Sequence, residues 1–189
     1  EDNHCHQPVK NFLSDCILDD AVHIADRINF SEIRDRKILI TGASGLIGHY
    51  LVATINRAAE KGYVPLQLYL LSQNSPPDYF SALYDHVPVT SLYGDLTNDN
   101  FLKNLPDADY IVHGAGYGQP GMFLTDPVKT LMVNTSVTFK LFEKLNPGGK
   151  FLFISSSEVY SGLSSPPFKE EQIGCTNTNH PRSCYIEGK

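Results

Sequence analysis

At 189 residues the chain is long enough for one domain with a substantial core. Its 21 acidic and 15 basic residues give a formal net charge of −6, which removes any electrostatic case for nucleic acid or an anionic membrane as partner. No apolar run reaches the ~18 residues of a membrane span, and no signal-like apolar core opens the chain. Cys5, Cys16, Cys175 and Cys184 show neither metal nor disulfide spacing, so a cytoplasmic protein is expected. His4-Cys5-His6 are adjacent potential ligands near a chain end, and no metal site is expected from them. Residues 1–35 form an N-terminal extension. Phe12, Leu13, Cys16, Ile17, Val22, Ile24, Ala25 and Ile28 suggest one or two short helices there, packed on the domain or on a partner subunit.

Residues 36–189 alternate strands with helices, the pattern of an α/β protein with a parallel sheet. Ile38 to Ile40 is a short apolar run suited to a buried strand, and Gly42, Gly45 and Gly48 follow at three-residue spacing. From Leu46 to Ala59 the character is helical. Strand, glycine turn and helix together aim free N–H groups at a pyrophosphate, although three glycines can also simply make a turn. The spacing G-x-x-G-x-x-G meets the general dinucleotide fingerprint only in part. A second strand, Leu66 to Leu71, runs into Ser72-Gln73-Asn74, where neither a carboxylate for a ribose nor an arginine for a 2′-phosphate stands. NAD and NADP are therefore not distinguished locally.

Val87 to Tyr93 reads as a third strand ending at Gly94-Asp95-Leu96, with Asp95 placed either to cap the next helix or to accept from an adenine amino group. Tyr110 to Val112 reads as the fourth, entering His113-Gly114-Ala115-Gly116; the small residues permit close approach to a dinucleotide, and His113 reads as structural. Thr125 to Leu145 shows 3.6-residue periodicity, with Val128, Leu131, Met132, Leu141, Phe142 and Leu145 expected in the core. Asn134 interrupts that face, either as a satisfied core amide or as an organiser near the site. The fifth strand, Phe151 to Ile154, exits into Ser155-Ser156-Ser157-Glu158-Val159-Tyr160, at the strand end where ligands gather in such sheets. A loop over 161–182 rich in Ser, Pro and Asn leads to Tyr185 and Lys189, four apart and so on one helix face, where an ammonium favours a phenolate.

Thr41-Gly42-Ala43-Ser44-Gly45-Leu46-Ile47-Gly48, His113 to Gly116, Ser155 to Tyr160 and Tyr185-x-x-x-Lys189 occur together in one order. In that order they resemble the extended short-chain dehydrogenases/reductases of the nucleotide-sugar epimerase/dehydratase type. Within them the chain is most similar to the UDP-glucuronate decarboxylases. The string Arg182-Ser183-Cys184-Tyr185-Ile186-Glu187-Gly188-Lys189 is close to their R-x-C-Y-D-E-G-K, and Asp126-Pro127-Val128-Lys129-Thr130 with Asn134-Thr135 matches their P-I-K-T and N-T helix.

The resemblance implies a Rossmann-type doubly wound parallel sheet holding NAD, with Gly42, Ser44, Gly45, Leu46, Ile47, Gly48, Asp95, Leu96, Gly114, Ala115, Gly116, Tyr185 and Lys189 on the cofactor. It implies a nucleotide-diphosphate sugar as substrate, oxidised transiently at C4, and a homodimer when full length. Tyr185 would take the C4 hydroxyl proton, Ser156 would bond the same oxygen, Lys189 would hold the nicotinamide ribose and favour the phenolate, and Glu158 would lie near C5. The 4,6-dehydratases carry an aspartate where Ser157 stands, which argues against dehydration, and Ile186 replaces the decarboxylases' aspartate. The family builds its sugar pocket mainly from a C-terminal part absent here, so the chain is expected to be a fragment without turnover of its own. The reading is decarboxylation of a UDP-uronic acid, with a 4-epimerase, a 4,6-dehydratase or a non-catalytic dinucleotide-binding protein as alternatives.

Overall fold

The computed structural model describes residues 12–118 and 120–189, and the His4-Cys5-His6 stretch lies outside them. Among the described residues, β1 (Lys37–Thr41), β2 (Gln67–Ser72), β3 (Val89–Tyr93), β4 (Ala108–His113) and β5 (Leu145–Phe153) form a parallel sheet in the order β3-β2-β1-β4-β5. β1 is central because it is apolar on both faces. Ile38 and Ile40 point into a cluster with Ile17 and Ala21 of α1 (Phe12–Ala25), Val52 and Ile55 of α2 (Leu46–Glu60), and Phe80 and Leu83. Leu39 points the other way, joining Leu71, Ile111, Leu102, Val137 and Leu141. Each such buried leucine contributes roughly 2 kcal/mol relative to exposure. The chain thus has helices on both faces of its sheet, the doubly wound α/β arrangement.

The strand order reverses between β1 and β4, whose ends meet at Thr41 opposite His113. Crevices at such reversals are where these sheets take ligands. β4 and β5 pair with an irregularity: Ala108 lies opposite Leu145, but Tyr110 already lies opposite Lys150. Asn146 donates from its amide to Asp109 at 2.9 Å across this bulge.

The long helix expected over 125–145 is not continuous. α3 (Asp99–Lys103) is followed by β4 and then by α4 (Pro120–Thr125), α5 (Pro127–Asn134) and α6 (Ser136–Phe142), while Leu145 opens β5. Asp126 starts α5 anew, accepting from Lys129 N at 3.0 Å with Pro127 in the first turn, where its missing N–H costs nothing. Thr135 leaves helical geometry at φ −116°, ψ −82°. Three hydroxyls beside the break donate to carbonyls four residues back: Thr135 to Leu131, Ser136 to Met132 and Thr138 to Asn134. That competition bends helices. The turn redirects the apolar face, so Val133, Val137 and Leu141 reach the core while Val128, Leu131, Met132 and Phe142, expected there, are exposed.

Candidate active site

Gly42, Ser44, Gly45, Asp95, Leu96, Gly114, Ala115 and Gly116 line one cavity of about 280 Å³ at the strand-order reversal, joined by Leu71, Ser72, Gln73, Gly94, Tyr117, Lys129 and Val133. The glycine loop is shaped by backbone approach. Gly42 has φ +70°, and a Cβ there would sit 2.7 Å from Gly114 backbone atoms. Gly48 is buried and does not line the cavity; a Cβ there would meet the Gly42 and Ala43 carbonyl oxygens at 2.4 Å, so its role is to let α2 pack under the loop. Leu46 and Ile47 are exposed at the start of α2, also outside the cavity lining. Gly45 caps α2 without a side-chain bond, which leaves first-turn N–H groups directed toward the loop. His49 stiffens this arrangement: its buried Nδ1–H donates to the Gly45 carbonyl at 2.7 Å, and its ring packs on Phe80. A cradle cleared of Cβ atoms, with free helix N–H groups at its edge, fits a dinucleotide pyrophosphate.

His113 is structural, as its position suggested. Its Nε2–H donates to Val133 O at 2.9 Å, which leaves Nδ1 to accept from the Thr41 hydroxyl at 2.6 Å; Thr41 Oγ1 in turn accepts from Ala115 N at 3.1 Å. This chain ties the ends of β1 and β4 to α5 and fixes the cavity wall. It requires a neutral imidazole, and burial first, then the nearby Lys189 ammonium, holds the His113 pKa below its usual value despite the Val133 bond. The folded form therefore binds this proton less readily than the unfolded chain. Stability from this group is fully present above about pH 6.5 and is lost as the pH falls below it toward the folded value. Thermal unfolding across this range should show the decline, and a His113→Gln variant should flatten it.

Asp95 does not cap α3; Asn98 does, accepting from Asn100 N and Phe101 N. Asp95 Oδ1 instead accepts from Thr97 N and Oγ1, at 2.9 and 2.8 Å, and Oδ2 pairs with Lys129 at 2.6 Å. Burial would raise its pKa, but the bonds from Lys129 and Thr97 together hold it below the usual carboxylate value. Ser72 Oγ donates to Asn74 O, closing the turn after β2.

The second group of residues lies at the exit of β5. Ser156 caps a short 3-10 turn over Ser157–Tyr160, its Oγ accepting from Glu158 N at 3.2 Å and its own hydroxyl hydrogen left to donate. α7 (Ser183–Gly188) packs on α5, with Gly188 beside Asn134: a Cβ would sit 3.1 Å from the Asn134 Cβ. Asn134 is buried, donating to Thr130 O at 2.9 Å while its Oδ1 has no bonding partner. Lys189 donates to Ile154 O at 2.9 Å, and Ser155 Oγ donates to Lys189 O at 3.1 Å. The tyrosine and lysine are thereby tied to the strand exit that carries Ser156 and Glu158. Lys189 Nζ lies 5.7 Å from the centroid of the Tyr185 ring, and burial lowers its pKa. Phe123, itself buried, stacks on the Tyr185 ring at 4.6 Å.

Three residues here were not singled out from the sequence. Lys129 appeared only as part of a motif, Arg182 only as part of a string, and Phe123 not at all. Arg182 pairs its guanidinium with the Glu158 carboxylate. Nothing in the local pattern announces these contacts, which span 34, 24 and 62 positions of chain between Lys129 and Asp95, Arg182 and Glu158, and Phe123 and Tyr185. Among the described residues no group of three or more His, Cys, Asp or Glu is gathered for a metal, and no helix is long and apolar enough to cross a membrane.

Known proteins are similar to this chain in sequence and in fold. UDP-glucuronic acid decarboxylase 1 of Xenopus tropicalis is 29% identical over 168 residues, covering 86% of this chain and 37% of its own length. An epimerase of Methanothermobacter thermautotrophicus superposes with a TM-score of 0.66 at 23% identity, covering 91% of this chain and 48% of that one. UDP-glucose 4-epimerase of Bifidobacterium longum, solved with NAD+ and UDP, gives 0.62 at 23% identity over 81% and 45%. The chain spans less than half the length of these proteins. The profile of the NAD dependent epimerase/dehydratase family matches residues 38–189, which are more than half of the chain. With its glycine cradle, its Tyr185–Lys189 pair and this match, the chain belongs to the NAD dependent epimerase/dehydratase family, and its cofactor is NAD.

Proposed function

We propose that the protein decarboxylates a UDP-linked uronic acid by transient oxidation at C4. The observation that carries this reading is the turn after β5, where Ser156 orients Glu158 and Arg182 pairs with it, while Ser157 offers only a hydroxyl. Loss of water needs a proton donor for the departing C6 hydroxyl. A serine hydroxyl is a poor one, and a carboxylate already bonded to a guanidinium acts as an acceptor. The name of the Xenopus relative, a UDP-glucuronic acid decarboxylase, supports the same choice.

NAD supplies the hydride acceptor. Tyr185, as the phenolate that Lys189 stabilises from the same helix face, accepts the C4 hydroxyl proton and becomes a neutral phenol, and Ser156 donates to the C4 oxygen. The C4 ketone then makes the C6 carboxylate a β-keto acid. The C5–C6 bond breaks, its electron pair moves into the C4 carbonyl as an enolate, and neutral carbon dioxide leaves. The described cysteines Cys16, Cys175 and Cys184 are free thiols, which supports a cytoplasmic setting. Exposed Val128, Met132 and Phe139 on α5 and α6 support assembly as a homodimer.

Incubating the full-length enzyme with UDP-glucuronate should release carbon dioxide and yield a UDP-pentose or its 4-keto form. UDP-galacturonate without carbon dioxide would identify a 4-epimerase instead. A 4-keto-6-deoxy sugar from a neutral nucleotide hexose would identify a 4,6-dehydratase. Binding of NAD with no conversion of any nucleotide sugar would favour a non-catalytic dinucleotide-binding protein.

A further inference from the structure

We infer that Arg182 determines specificity for an acidic sugar, holding Glu158 in the free enzyme and sharing its guanidinium with the substrate carboxylate when a uronic acid binds. The inference rests on the decarboxylase reading, because it needs the C6 group near Glu158. Among the described residues, three cations are tied to this region, and two have fixed duties. Lys129 pairs with Asp95 at the cofactor cavity, and Lys189 is bonded to Ile154 O beside the Tyr185 ring. Arg182 is the third, and it is bonded to the carboxylate on the turn after β5.

Its backbone cannot drift relative to the tyrosine. The Arg182 carbonyl accepts from both Tyr185 N and Ile186 N at 3.0 Å, so Arg182 opens the helix that carries Tyr185. Its side chain is 39% exposed and that of Glu158 31%, which leaves the pair open to a third group. A guanidinium presents five N–H donors in a planar fork and can serve two carboxylates at once, whereas a lysine offers a point charge.

The electrostatics require such a group. A uronic acid arriving beside Glu158 brings a second negative charge into a protein of net charge −6, and without a cation between them the two carboxylates repel. A neutral hexose meets no such penalty and gains nothing from the guanidinium. Arg182 therefore separates acid from neutral sugars on the same nucleotide. When carbon dioxide leaves, the substrate charge is gone and the arginine keeps only Glu158, so product is bound less tightly than substrate at this position.

Calorimetric titration of the NAD-loaded full-length protein with UDP-glucuronate and with UDP-glucose tests this. Arg182→Met should weaken UDP-glucuronate by roughly tenfold or more while leaving UDP-glucose nearly unchanged, the size expected for lost charge-assisted hydrogen bonds. Arg182→Lys should fall between. Glu158→Gln should tighten UDP-glucuronate relative to UDP-glucose both by freeing the guanidinium and by removing a repelling carboxylate. The rise should be smaller in the Arg182→Met background, where only the second effect remains; equal rises in the two backgrounds overturn the inference. Equal loss for both sugars in Arg182→Met, or no rise in the ratio in Glu158→Gln, overturns the inference. A ratio unchanged in Arg182→Met, with wild-type protein that releases carbon dioxide, overturns the inference alone. Wild-type protein that binds neither sugar overturns the decarboxylase reading together with it.

Discussion

Gly42→Ala is expected to abolish NAD binding and to destabilise the fold at the same time. Two costs act at this position. A non-glycine residue at φ +70° carries backbone strain of about 1–3 kcal/mol. The new methyl would also lie 2.7 Å from Gly114 C and O and 2.8 Å from Ala115 N, none of which belongs to a flexible side chain. Relief requires the ends of β1 and β4 to part, at a further ~1–3 kcal/mol typical of overpacking. Against a total stability of about 5–15 kcal/mol, the variant should still fold but melt markedly earlier. Moving Gly114 and Ala115 also distorts the cavity wall that the Thr41–His113 chain fixes. Gly45→Ala is the control: its methyl meets only the Gly42 carbonyl oxygen at 3.2 Å, a contact relieved by a shift of a few tenths of an ångström. A larger residue at Gly45 should block the pyrophosphate with less loss of stability. Calorimetric titration with NAD beside thermal unfolding checks the ranking. Wild-type NAD affinity in Gly42→Ala would remove this cavity as the cofactor site.

Tyr185→Phe should lower turnover by roughly 10²–10⁴-fold, the range in which a positioned proton-transfer group contributes. NAD affinity should change little, because Tyr185 does not line the cavity and the stacking on Phe123 needs only the ring. The readout is single-turnover reduction of NAD by nucleotide sugar, followed by nicotinamide absorbance in the full-length enzyme. Reduction at the wild-type rate would assign the base to another residue. Lys189→Met should show a different signature, since the lysine lies over the Tyr185 ring and its Nζ stands 3.7 Å from where a Cβ on Gly116, a cavity residue, would lie. It should lose NAD affinity and rate together.

The sheet and the cofactor cradle were legible because they are local. Ile38 to Ile40, the glycines after them and the small residues after His113 each carry their signal within a few positions, and the cavity gathers them. The helix over 125–145 was misread for a physical reason: the periodicity ran on past the break, while the hydroxyls of Thr135, Ser136 and Thr138 bent the chain and turned Val128 and Met132 outward. Asp95 stood open between two roles, and its partner Lys129 decides its state from α5, far along the chain. Arg182 was illegible as a partner of Glu158 because the loop between them sets their distance, and loop paths do not follow from composition.

The bulge between β4 and β5 separates chain length from site geometry. Ala108 to Tyr110 spans two steps on one strand, while Leu145 to Lys150 spans five on the other, so the surplus residues are extruded around Gly148. Gly148 has φ +76° and open space where a Cβ would point. An extra residue there enlarges a surface loop and leaves Phe151, Leu152 and Phe153 opposite their partners on β4. An extra residue after Phe153 has no such outlet: it would shift Ile154, whose carbonyl anchors Lys189, and carry Ser156 and Glu158 with it. The strand therefore tolerates an insertion at Gly148, whereas the stretch from Phe151 to Glu158 behaves as a ruler of fixed length.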